Sequence, residues 1–135
     1  MAQRKQTKPG KIDPQEVFNL MGDGNNKYIS ATFFGEEVNL GTLNVRMHFH
    51  KGIDCIEECG ATGAYFKMER SPGPPHILYS EWHLNLYAID KNGKEVLMTK
   101  DHRYPRSKGG PDTLDNLDPM CTVCNSRKAD KIKEE

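Results

Sequence analysis

No stretch of the sequence approaches the roughly 20 consecutive apolar residues that a membrane-spanning helix needs. Its first ten residues are polar and basic, without the apolar segment of a signal peptide. A membrane partner is therefore not expected, and a cytoplasmic location is. Net charge is missing too, since 19 lysines and arginines balance 19 aspartates and glutamates. That balance removes any global attraction to a polyanion, so a nucleic-acid surface has to be local. Apolar residues make up only 36% of the chain, while 12 glycines and 8 prolines favour loops. At 135 residues there is room for one compact domain. A thin core in a loop-rich fold calls for a staple.

The cysteines can supply one. Cys55/Cys59 and Cys121/Cys124 form two close pairs, and in a reducing compartment this arrangement argues for a structural zinc rather than disulfides or free thiols. A simple zinc ribbon places about 15 to 20 residues between its pairs. Here residues 60–120 intervene, so a larger unit is inserted. The Cys-x3-Cys spacing of the first pair is one residue longer than the commoner Cys-x2-Cys.

Local signals divide the chain into a basic, disordered arm over residues 1–12, an extension packing on the core over 13–50, and a functional domain over 51–135. Arg4, Lys5, Lys8 and Lys11 lie in the arm, with no acid before Asp13. Asp13-Pro14 reads as an N-cap and first-turn proline of a short helix ending near Gly22. Tyr28 to Phe34 reads as a strand. Residues 40–51 fit either period, and the helical face Leu40, Leu43, Met47 is the one adopted. Residues 83–89 and 95–99 flank an Asn92-Gly93 turn and predict an antiparallel hairpin. Asp118-Pro119 predicts the start of a helix running to Lys131. On that helix Cys121, Cys124 and Asn125 share one face. His48 and His50 have the spacing of a metal pair on a strand, but neither is near a cysteine. Trp82 reads as a core or hairpin anchor.

The segment MTKDHRYPRSKGGPDTLDNLDPMCTVCNSRKAD carries Asp-His, a Pro and a Ser, Gly-Gly, Asn-Leu and Cys-x2-Cys-Asn-x2-Lys in order. It resembles the HNH endonuclease family, also called ββα-metal or His-Me finger nucleases. His102 lies 14 positions before Asn116 and Asn116 lies 9 before Asn125, similar to the HNH domain of RNA-guided CRISPR effectors. The resemblance runs from about Cys55 to Lys131. It implies an α+β fold with a small ββα-metal core, β-hairpin plus helix, stapled by the four-cysteine zinc.

It also implies roles. His102 corresponds to the general base. Asp101 and Asn125 correspond to ligands of a catalytic Mg2+ or Mn2+, and Asn125 stands where many members have a histidine. Asn116 corresponds to the residue that braces the loop and orients the histidine. Arg103, Arg106, Lys108, Arg127 and Lys128 are placed to meet DNA phosphates. The implied activity is a stand-alone, phage-type DNA endonuclease using one metal and leaving 5′-phosphate and 3′-hydroxyl ends. The alternatives are a non-catalytic zinc-knuckle DNA-binding protein, or a nuclease subunit directed by a targeting protein. A homodimer is equally compatible with the sequence.

Overall fold

A computed structural model describes residues 4–73 and 79–128. A five-stranded antiparallel sheet in the order β1-β4-β5-β6-β7 forms its frame. The strands are β1 (Gln6–Ile12), β4 (Thr62–Arg70), β5 (His83–Ile89), β6 (Glu95–His102) and β7 (Leu117–Cys121). A separate hairpin pairs β2 (Ser30–Phe33) with β3 (Glu36–Asn39). Three short helices complete the fold: α1 (Pro14–Asn19), α2 (Leu43–Lys51) and α3 (Thr122–Lys128). Among the described residues, no helix is long and apolar enough to cross a membrane.

Several expected elements form for the expected reasons. The Asp13 side chain accepts from the Gln15 amide and Pro14 occupies the first turn of α1. Thr42 caps α2 by accepting from the Val45 amide. The Asp90 carboxylate accepts from the Asn92 and Lys94 amides, and Gly93 adopts the left-handed φ that closes the β5–β6 hairpin.

Two expectations give way. Residues 6–12 are not a disordered arm but an edge strand paired with β4. In the opposite sense, Asp118-Pro119 does not start a helix: both residues lie in β7, and α3 begins only at Thr122. The Pro119 carbonyl accepts from the Ile56 amide, away from β6. In an antiparallel strand the N and O of a residue face the same way, so the proline's missing donor costs the β6–β7 ladder nothing. The expected end of that helix, Lys131, lies outside the described residues. β4, a central strand, carries few local signals because Lys67, Glu69 and Arg70 interrupt its apolar alternation.

The core runs without a break from Ile12 and Val17 through Val45, Phe66, Met68, Leu86 and Met98 to Met120 and Cys124. Each fully buried side chain of this size stabilises the fold by roughly 1.5–3 kcal/mol. Glu69 and His48 are among the four polar residues buried with it. Burial alone would push the Glu69 carboxyl up, but hydrogen bonds from Asn85, Thr7, Tyr87 and Lys5 hold it below its ordinary range. His48, 1% exposed on α2, donates from Nδ1 to the Gly52 carbonyl and leaves Nε2 without a partner. His50 instead contacts the Gly24 carbonyl, so the two histidines do not form a metal pair.

His48 sets an acid limit on the fold. Burial lowers its pKa from 6.5 to about 4, against a smaller opposing effect of the Gly52 contact. Above pH 6.5 the ring is neutral in both states, and its contribution to stability is complete. As the pH falls from 6.5 toward 4, the unfolded chain takes up a proton that the folded chain refuses. The total loss is about 3 kcal/mol. Urea unfolding at both ends of that range should therefore show wild type losing more stability than His48→Gln, by about that amount.

Candidate active site and zinc centre

The loop between α2 and β4 carries the first cysteine pair. Its backbone is pinned by Cys55 N to Ala61 O at 3.1 Å and by Ile56 N to Pro119 O at 2.8 Å. Glu58 and Gly60 take positive φ on either side of Cys59, which is how the longer Cys-x3-Cys spacing still curls around one point. The second pair comes from the end of β7 and the first turn of α3. All four Sγ atoms lie within 4.8 Å of one another. Cys59 and Cys121 sulfurs stand 3.7 Å apart.

That spacing fits zinc. A tetrahedral ion with Zn–S bonds of about 2.3 Å separates its sulfurs by about 3.8 Å. The Cys121 and Cys124 amides each lie 3.5 Å from a sulfur of the cluster, as N–H donors to thiolates would. Burial pushes the Cys55 and Cys124 thiols up, whereas the Ala61 backbone pulls Cys59 down. Clustered thiols with two of them so raised require a cation to ionise together.

A different corner holds the Asp-His pair. β6 ends in Asp101-His102, and the chain returns through two 3-10 turns to β7, which leads directly into α3. The two strands and the helix that enclose the motif are thus β6, β7 and α3. The β5–β6 hairpin signalled by the sequence adjoins this unit and extends it. Asp101, His102 and Asn125 line one open cleft of about 240 Å³, together with Lys100, Arg106 and Ser107.

Asn116 stands behind the cleft and clamps the intervening loop. Its Oδ1 accepts from the Tyr104 amide at 2.9 Å, and its Nδ2 donates to the Tyr104 and Pro111 carbonyls at 3.2 and 2.9 Å. Gly110 is required in the same loop, because a Cβ there would stand 1.7 Å from the Tyr104 carbonyl oxygen. Gly109 turns the chain at φ +93. Turn geometry therefore accounts for both glycines.

The two strands also set Asp101 directly opposite Asp118. Like charges in that position repel, and each buried carboxylate has its own cation. Arg103 Nε donates to Asp118 at 2.8 Å, with Lys51 at 3.8 Å. Lys128 Nζ donates to Asp101 Oδ2 at 2.8 Å and to the His102 carbonyl at 2.7 Å.

Of the five cations expected at phosphates, only Arg106 lines the cleft. Lys108 is exposed beside it. Arg127 borders a separate hollow next to Cys59 and Lys91. Arg103 and Lys128 are turned inward onto carboxylates, and Lys128 keeps only 10% of its side chain exposed.

Three site residues escaped sequence reasoning. Asp112 Oδ1 lies 2.5 Å from His102 Nε2, and this contact, first among its causes, holds the Asp112 carboxyl low. Thr99 Oγ1 accepts from Asn125 Nδ2 at 2.8 Å. Lys100 lines the cleft. The strand period around Asp101-His102 offered a signal for Thr99 and Lys100. None existed for Asp112, which lies in an irregular loop.

Residues 90–131 match the family model for HNH endonuclease. The match begins at the β5–β6 turn and takes in β6, β7 and α3. No curated protein and no solved structure matches the chain. Within the small α+β fold this segment is similar to HNH endonuclease domains, and the similarity suggests a nuclease-type function.

Cys121→Ser should remove one of two sulfurs borne by the β7–α3 junction. Metal analysis of the purified variant is expected to show zinc falling from one equivalent toward none. The accompanying loss of folding stability should be on the order of several kcal/mol.

Proposed function

We propose that the protein is a DNA endonuclease that hydrolyses phosphodiester bonds with one catalytic divalent ion, leaving 5′-phosphate and 3′-hydroxyl ends. The observation that carries this reading is the meeting of Asp101, His102 and Asn125 in one open cleft, within the segment matched by the HNH family.

In this reading, His102 takes a proton from the attacking water. Asp112 is ionised and accepts from His102 Nε2, so that nitrogen carries the hydrogen and Nδ1 is left as the base. The water oxygen bonds to phosphorus, the bond to the 3′ oxygen breaks, and solvent supplies the proton to that oxygen. The negative Asp112 also favours the imidazolium formed by the transfer. Asn116 keeps the loop, and with it Asp112, in register with His102.

The Asp101 carboxylate and the Asn125 carboxamide oxygen would hold Mg2+ or Mn2+. They are hard oxygen donors, and Thr99 engages the amide nitrogen of Asn125 so that the oxygen remains for the ion. Such an ion supplies charge stabilisation at the scissile phosphate and at the leaving oxygen. Arg106, Lys108 and Lys100 lie where a phosphate backbone can be held. The zinc is structural and takes no part in the chemistry.

Supercoiled plasmid incubated with the zinc-loaded protein should be nicked only when Mg2+ or Mn2+ is added. His102→Ala should slow that reaction by at least about 100-fold. Asp112→Asn should slow it by about tenfold, the scale of an orienting partner. Metal-independent cutting, or equal rates for wild type and His102→Ala, would refute the proposal.

A further inference from the structure

Lys128 is the cation that meets Asp101. Its ammonium makes two short hydrogen bonds, to Asp101 Oδ2 and to the His102 carbonyl, and the two side chains are only 10% and 5% exposed. A lysine head at this depth is unusual unless it is paired. Surface phosphate contacts behave otherwise, since their heads stay in water.

The location matters as much as the pairing. Asp101 lines the cleft with Asn125, and Lys128 lies one helical turn after Asn125 on α3. The carboxylate oxygen that Lys128 holds belongs to the residue that a divalent ion would need.

We infer that Lys128 is a resident counter-cation of the catalytic cleft, and that a divalent ion binds by displacing its ammonium from Asp101. This rests on the reading of Asp101 as a metal ligand. The lysine neutralises a buried carboxylate that would otherwise stand opposite Asp118 without compensation. It also sets a threshold on metal binding, because an incoming ion must break the ion pair and then bears repulsion from the nearby ammonium. The side chain thus acts on metal affinity through Asp101 and is a positioning residue rather than a catalytic one.

The test uses the full-length, zinc-loaded protein and Mn2+ alone, with free Mn2+ followed by its electron paramagnetic resonance signal. Lys128→Met should bind Mn2+ about tenfold or more tightly than wild type. Lys128→Arg, which keeps the charge, should stay close to wild type. In the absence of Mn2+ the melting temperature of Lys128→Met should be lower, and saturating Mn2+ should raise it more than it raises that of wild type. Equal or weaker Mn2+ binding by Lys128→Met would overturn the inference.

Asp101→Asn separates the two levels of the argument. If it abolishes Mn2+ binding while Lys128→Met changes nothing, the metal site stands and the role of Lys128 fails. If Asp101→Asn binds Mn2+ like wild type, the ligand assignment itself fails. Should Lys128→Met not fold, the wild-type protein still gives an answer. The 15N resonance of its Lys128 ammonium should shift on saturation with Mg2+, and an unchanged resonance would overturn the inference.

Discussion

Four sulfur atoms gathered within 4.8 Å tie the first half of the chain to the start of α3. The loop before β4 brings two of them, and the β7–α3 junction brings the others. The described part of α3, Thr122–Lys128, is too short to persist on its own. Those thiols can hold one metal ion, which would fix the first turn of the helix. Asn125 comes immediately after Cys124, and Lys128 lies one turn further on. A metal ion at the cysteines would thereby help to hold Asn125 at the cleft and Lys128 against Asp101.

The cleft shows how charge is managed where it cannot be avoided. Two carboxylates face each other across β6 and β7, and each is neutralised from a different element: Asp118 by Arg103 and Lys51, Asp101 by Lys128. A third, Asp112, engages His102 from the loop. The zero net charge of the chain conceals this local arrangement. Two cations that a linear reading assigns to DNA, Arg103 and Lys128, are occupied by buried carboxylates instead.

Much of the candidate site was legible in the sequence because its residues are closely spaced. Asp101 and His102 are adjacent, and Asn125 follows Cys124 directly, so pattern and spacing identify them without a fold. The hairpin of β5 and β6 was legible for a similar reason: its turn chemistry is local. By contrast, β1 and β4 depend on partners far away in the chain. Gln6 pairs with Arg70, and neither segment has an apolar alternation strong enough to announce a strand. Pro119 was misleading because a proline signals a helix start in isolation but sits without penalty on a sheet edge whose outward face meets Ile56.

By itself, then, the sequence determined the kind of candidate site: two cysteine pairs able to take one metal ion, and a segment of the HNH type. These are matters of which atoms are present and how closely they follow one another. Tertiary structure alone decided which strands enclose the site, that Asp112 holds His102 Nε2, and that Lys128 turns inward to Asp101 instead of outward to phosphate. Those outcomes depend on which surfaces are buried and which charges then need partners. Both are set by contacts between residues distant in the chain, and no local pattern encodes them.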